Sequence, residues 1–234
     1  MEFTRAELQD AFERVESRIR AACERASRPR ESVTLLPVSK MHSAELIQSA
    51  YDFGYRKFGE SRVQELLVKQ QTLPADIEWH FIGHLQSNKA KNIAPFVSMV
   101  HSIDSVETGV ELSKRALAAS RTIDVLIEIN ISGEQAKDGV EPTAAEALLM
   151  GLREQTRNLR VCGLMCVAGL VDDDSVVREQ FRSMKILLER LQISHSDLSG
   201  FQTLSMGMTH DLEIAIEEGA TIIRVGSAIF GDRE

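Results

Sequence analysis

A chain of 234 residues with 43% hydrophobic content is long for one ordinary domain but falls inside the range of a single α/β barrel with a full core. A formal charge of −8 and a pI near 5.4 argue against a general binder of nucleic acid or anionic membrane and leave room only for a local basic pocket. Three cysteines (Cys23, Cys162, Cys166) are too few, and odd in number, for a disulfide framework, which favours a reducing compartment. No apolar run approaches the ~20 residues that span a bilayer, and Met1-Glu-Phe-Thr-Arg5 leads into a charged amphipathic pattern rather than a signal segment. A cytoplasmic, soluble protein is expected.

Thr4 to Ala26 carries Leu8, Phe12, Val15, Ile19 and Ala22 at helical spacing, and Thr4 with Glu7 fits a capping box. This helix, within residues 1–30, precedes the first strand and is expected to pack outside any repeating core. From there strands and helices alternate. Val33–Ser39 reads as a strand and Ser43–Phe53 as a helix closed by Gly54; Arg56–Gly59 and Arg62–Thr72 follow in the same way. Glu78–Gly83 is a strand before a short helix at Asn88–Ala94, and Met99–Ile103 precedes a helix at Val106–Ala119. Asp124–Asn130 is the clearest strand, followed by a helix at Pro142–Glu154 with proline in its first turn. Arg160–Ala168 and Ser175–Leu191, then Gln202–Ser205 and Asp211–Glu218, then Thr221–Val225 and a short turn at Gly226–Phe230 complete the series.

Such alternation without hairpin signals implies a parallel sheet. About eight units in ~230 residues predict one (β/α)8 TIM-type barrel, a single domain over residues 1–234 with an extra N-terminal helix. A doubly wound open sheet is the alternative. Active sites of such barrels lie at the C-terminal strand ends, so the residues after each strand are the candidates. The first strand ends in Ser39-Lys40, and a lysine at the rim of an apolar core loses solvation and becomes a usable amine nucleophile; the plainer reading is a lysine pointing into water. After the seventh strand come Ser205, Met206 and Gly207, and after the eighth Gly226 and Ser227, where barrels often hold phosphate on hydroxyls, backbone N–H groups and a helix N-terminus. Ordinary turn chemistry explains each pair taken alone. Arg224 lies in the apolar run Thr221–Phe230 and needs a partner when buried, either Glu128 or a ligand. A lysine, an anion cradle and a buried cation together meet the requirements of pyridoxal 5′-phosphate (PLP). His80 and His84 do not make a His-Glu-x-x-His zinc pattern, no metal is expected, and Cys162 and Cys166 read as small buried residues.

The motifs Val38-Ser-Lys40, Phe58-Gly-Glu-Ser-Arg-Val-Gln-Glu65, Trp79-His-Phe-Ile-Gly-His-Leu-Gln-Ser-Asn-Lys89, Gly163-Leu-Met165, Leu204-Ser-Met-Gly-Met208 and Ile223-Arg-Val-Gly-Ser-Ala-Ile-Phe-Gly231 occur in one order along the chain. Over about Val33 to Gly231 the chain thereby resembles the YggS/PROSC family, the pyridoxal phosphate homeostasis proteins, whose barrel is similar to the N-terminal domain of alanine racemase. The resemblance implies a Schiff base between Lys40 and PLP, phosphate binding at Ser205, Gly226 and Ser227, and Arg224 facing the pyridine nitrogen. It also implies that Lys137 takes part in handling PLP. Ser61 stands where the family has asparagine, which puts in doubt any contact that amide makes near the cofactor. Pro37 stands where a residue with an N–H is usual, so the first strand is expected to lose one ladder hydrogen bond. The function implied is PLP homeostasis, holding the cofactor without turnover and delivering it to apo forms of PLP-dependent enzymes, with a monomer expected. The alternative is an amino-acid racemase. That chemistry needs a second base, supplied in alanine racemase by a tyrosine of a second domain, and the chain's tyrosines, Tyr51 and Tyr55, lie on and just after the first barrel helix.

Overall fold

The computed structural model describes residues 4–171 and 173–231. The first three residues of the expected N-terminal segment, residue 172 and residues 232–234 of the expected domain lie outside that description. Helix α1 (Arg5–Arg25) opens on the expected capping box: Glu7 N–H donates to Thr4 Oγ1, and Thr4 N–H donates to Glu7 Oε2 at 2.8 Å.

Eight strands and eight helices then alternate: β1 (Thr34–Pro37), α2 (Ala44–Asp52), β2 (Lys57–Glu60), α3 (Val63–Thr72), β3 (Glu78–Phe81), α4 (Ala90–Ile93), β4 (Met99–Ile103) and α5 (Val106–Ala118), followed by β5 (Ile123–Ile129), α6 (Ala145–Gln155), β6 (Leu159–Cys166), α7 (Asp174–Ser194), β7 (Thr203–Ser205), α8 (Leu212–Glu217), β8 (Ile222–Val225) and α9 (Ser227–Phe230). The strands form one parallel sheet in the order β1-β8-β7-β6-β5-β4-β3-β2, a nearly closed TIM-type barrel, and the open-sheet alternative falls.

Closure between β1 and β2 rests on a single bridge, Val38 to Gly59. Pro37 explains why. Thr34 and Val38 donate to Thr221 and Val225 on the β8 side, whereas Ser39 donates to Gly59 on the β2 side. The alternation of donors therefore places the N–H that Pro37 lacks, and with it the ladder bond the first strand is expected to lose, on the seam with β2.

The apolar side chains separate into an outer layer and an inner plug. Val125, Ile127 and Ile129 of β5 join the large cluster between sheet and helices, while Leu126 meets Cys162, Met165 and Met99 inside the ring. Strand periodicity sends alternate residues to these two layers. Helix α1 buries Leu8, Phe12, Val15 and Ile19 against α8 and α9, each contributing about 1.5–3 kcal/mol. Phe12 stacks on Tyr55 at 4.1 Å and meets Phe230 of α9 edge-on, so α1 braces the helix that follows the last strand. Arg18 adds a forked pair with Glu213.

Two helices depart from expectation. The one expected from Pro142 begins at Ala145, because residues 142–144 form a turn in which Ala144 N–H donates to Glu141 O. Ahead of it, Val140 returns to pair with the end of β5. The short helix after β3 is split into a 3₁₀ turn at Ser87–Lys89 and α4.

Candidate functional site at the barrel mouth

The C-terminal ends of β1, β7 and β8 are adjacent, and they carry most of the residues singled out from sequence. In the β1–β8 register Leu36 lies beside Arg224 and Pro37 beside Val225, so the turn bearing Lys40 and the segment Gly226–Ser227 leave neighbouring strand ends. Lys40 is half-buried and follows the fully buried Ser39.

Arg224 is 5% exposed, and its hydrogen bonds go not to Glu128 but to two groups on β6 and β7. One terminal nitrogen donates to Ser205 Oγ at 2.8 Å and the other to the Cys166 carbonyl at 2.8 Å. Both acceptors are neutral. Burial lowers the guanidinium's pKa, with Cys166, Asp211 and Glu128 acting in the opposite sense. An arginine nevertheless stays charged in a protein. Its positive charge is thus held in a fixed plane, with no hydrogen-bonded carboxylate among the described residues.

Ser205 is fully buried, and its hydroxyl turns into the barrel. It lies 2.9 Å from His101 Nδ1, and His101 Nε2 lies 2.9 Å from His80 Nδ1. Arg224 can only donate, so Ser205 Oγ accepts from it and keeps one proton and one lone pair, either of which suits His101 Nδ1. Burial favours the neutral form of both rings: it drives His80 down to about 3, with Lys57 adding to the shift, and holds His101 well below its usual range. The expected core role of His80 follows, whereas His84 is exposed on the rim, 3.5 Å from Asp104.

Met206 continues the sheet, its N–H donating to the Ile222 carbonyl. Gly207 has φ +93°, and a Cβ there would stand 2.5 Å from the Ala215 methyl, so packing alone demands glycine. Gly226 differs. A Cβ on it would meet Val38 O at 3.5 Å, an ordinary contact, and its φ is negative. Ser227 Oγ donates to Thr209 Oγ1 at 3.2 Å, joining the loops after β7 and β8.

Lys137 stands on the β5 side of the ring. Its ammonium donates to the Ala168 carbonyl at 2.9 Å and pairs with Glu134 at 2.7 Å. Asn130 shapes this loop, donating to the Glu134 carbonyl and accepting from Gly133 N–H. Beneath it a cavity of about 230 Å³ reaches Glu128. Oε2 of Glu128 is buried and has no hydrogen-bond partner among the described residues. Burial, aided by the charges of Asp138 and Asp104 and opposed by Arg224, pushes this carboxyl up to about 7.

Sequence reasoning gave no role to His101, Thr209, Lys69 or Glu65. Thr209 had a signal, its position in the loop after the seventh strand, and Glu65 closes one of the quoted motifs; His101 and Lys69 gained their roles through contacts distant in sequence. The cysteines are buried thiols, with Cys162 pushed up to about 11 and Cys166 to about 12 by burial. Ser61 N–H donates to Glu60 Oε1 at 2.7 Å.

The barrel and its mouth define a domain of the alanine racemase N-terminal type, and the model of that family matches residues 12–234. A pyridoxal phosphate homeostasis protein of Aquifex aeolicus is 42% identical over 226 residues, covering 96% of this chain and 98% of its own. The chain belongs to the family of pyridoxal phosphate homeostasis proteins. Among solved structures, an unknown protein from Bifidobacterium adolescentis is 35% identical with a TM-score of 0.90, over 98% of both chains. PipY of Synechococcus elongatus, solved with PLP bound, is 34% identical with a TM-score of 0.79, over 93% of this chain and 100% of its own.

Proposed function

We propose that this protein holds PLP covalently on Lys40 at the barrel mouth and serves PLP homeostasis without turning over a substrate. The observation that carries the reading is the placement of Lys40 and Arg224 at the ends of two paired strands, with the guanidinium tied to two neutral acceptors among the described residues. The donor set fits the cofactor. A lysine amine suits an aldehyde, and a fixed cation suits a pyridine nitrogen that stays unprotonated. The segment from Gly226, where neither packing nor backbone angle demands glycine, suits a phosphate. Bound there, PLP would be held by the side-chain amine of Lys40 and would supply the aldehyde for that link, with water as the group released.

The chain's own groups then divide the work. Ser205 steadies Arg224 through its hydroxyl, so any contribution of Ser205 to phosphate binding comes from its backbone. Met206 and Gly207 shape the same loop, and Ser227, tethered to Thr209, closes it. Lys137, bonded to Ala168 and Glu134, acts at the rim rather than beside Lys40.

The non-catalytic part of the reading is supported by the tyrosines. Tyr51 donates to Asp76 at 2.8 Å, and Tyr55 stacks on Phe12, with burial pushing its phenol far up. Neither is available at the mouth as a second base. A cation at the pyridine nitrogen also weakens the electron sink that carbanion chemistry requires. Among the described residues no helix is long and apolar enough to cross a membrane.

The test combines two assays on PLP-loaded protein. Transfer of PLP to an apo form of a PLP-dependent enzyme is expected to proceed in the presence of a trap for free PLP, with no sustained racemisation of amino acids. Steady racemisation abolished by Lys40→Ala would overturn the non-catalytic reading, and transfer eliminated by the trap would overturn delivery.

A further inference from the structure

The backbone is held on both sides of Lys40 by one buried charge cluster. Lys69 Nζ donates to the carbonyl of Ser39 at 2.7 Å, immediately before Lys40. Glu65 Oε2 accepts the N–H of Met41 at 2.6 Å, immediately after it. The same lysine pairs with Glu60 Oε2 at 2.6 Å and with Glu65 Oε2 at 3.4 Å. Glu60 is fully buried and Lys69 is 5% exposed, and the other Glu60 oxygen accepts from Ser61 N–H. Just past the second hold, Met41 has φ +65°, a conformation that residues with a Cβ seldom adopt.

A buried ion pair is a poor stabiliser, because desolvation of both charges offsets most of their attraction. Its retention here is better explained by what it grips. Besides the pairs with Glu60 and with each other, and the bond that Glu65 Oε1 accepts from Arg62 at 3.1 Å, Lys69 and Glu65 each grip one of the two peptide groups that set the direction of the Lys40 side chain. We propose that Lys69 and Glu65 are positioning residues for Lys40, fixing the turn so that its amine meets an aldehyde held in the mouth. This assignment rests on the proposed function.

Loss of the hold on Met41 lets the turn relax out of the left-handed conformation, and Lys40 then samples directions in which it cannot react. Glu65→Ala removes that hold while leaving the Lys69–Glu60 pair in place. The double variant Lys69→Met with Glu60→Gln removes the hold on Ser39 without leaving a bare buried charge. Glu65→Gln keeps an oxygen that can accept from Met41.

The experiment measures PLP affinity, the fraction of Lys40 trapped by borohydride, thermal stability, and amide hydrogen exchange at Met41 in PLP-free protein. Glu65→Ala and the double variant are expected to weaken PLP binding roughly tenfold, with faster Met41 exchange in Glu65→Ala. Glu65→Gln is expected to restore both. Trapping on Lys40 with unaltered affinity in Glu65→Ala and in the double variant would overturn the assignment alone. So would losses that follow only the amount of unfolded protein and are not restored by glutamine. Absence of any adduct on Lys40 in the unaltered protein would overturn the cofactor reading, and this assignment with it.

Discussion

Glu128→Gln is expected to make the protein more stable above pH 7. In the fold this carboxyl is pushed up to about 7, first by burial and then by Asp138 and Asp104, and its Oε2 has no hydrogen-bond partner among the described residues. The sign follows from linkage. A carboxyl whose folded pKa lies above its unfolded value of 4.5 keeps a proton in the fold that the unfolded chain has released. Its contribution is fully present below about pH 4.5, falls as pH rises toward 7, and is lost beyond. At about 1.4 kcal/mol per pH unit the loss is at most about 3 kcal/mol. Glutamine does not titrate, so at pH 8 the variant should melt several degrees higher, at about 2–4 °C per kcal/mol for a chain of this size. At pH 4 the two proteins should melt together. A variant less stable than the parent at pH 8, or an unchanged difference between the two pH values, would show that Glu128 is ionised and satisfied in the fold.

The second large effect is expected at Arg224. Arg224→Met takes a donor from the Cys166 carbonyl and leaves Ser205 Oγ with His101 as its side-chain partner, and a buried acceptor left unsatisfied costs about 1–3 kcal/mol. It also removes the positive charge from the mouth. The melting temperature should fall, and the absorbance of bound PLP should shift toward that of a protonated pyridine. An unshifted spectrum with PLP still bound would mean that the guanidinium acts on the barrel interior and not on the cofactor.

The repeating architecture was legible in the sequence because each strand is a short apolar run followed by a helix with its own start and stop signals. The misplaced helix start shows the limit of such signals. Proline is tolerated in a first helical turn, yet Pro142 serves a turn that lets Val140 pair with β5 before α6 begins. Pro37 was legible to the single hydrogen bond, because alternation of donors along a strand is a local property. The choice of seam was not, since it depends on which neighbour β1 meets on each side.

Within the site, strand ends could be read from the architecture and partners could not. Arg224 was recognisable as a buried cation requiring acceptors, but its acceptors come from β6 and β7, and one of them is a main-chain carbonyl that no composition reveals. Ser205 offered a hydroxyl where phosphate was expected. Its side chain also meets His101, 104 residues away, because the residue sits on the inward face of its strand. Lys69 looked like one more helical lysine at the end of α3, and only folding brings it to Ser39, 30 residues earlier.

The central claim is that Lys40 is the covalent anchor for PLP, and borohydride reduction of PLP-loaded protein followed by peptide mass mapping tests it most directly. The account predicts a single pyridoxyl adduct on the peptide containing Lys40, absent from Lys40→Ala. An unmodified Lys40 peptide, with the adduct on Lys137 or on another lysine, would contradict it.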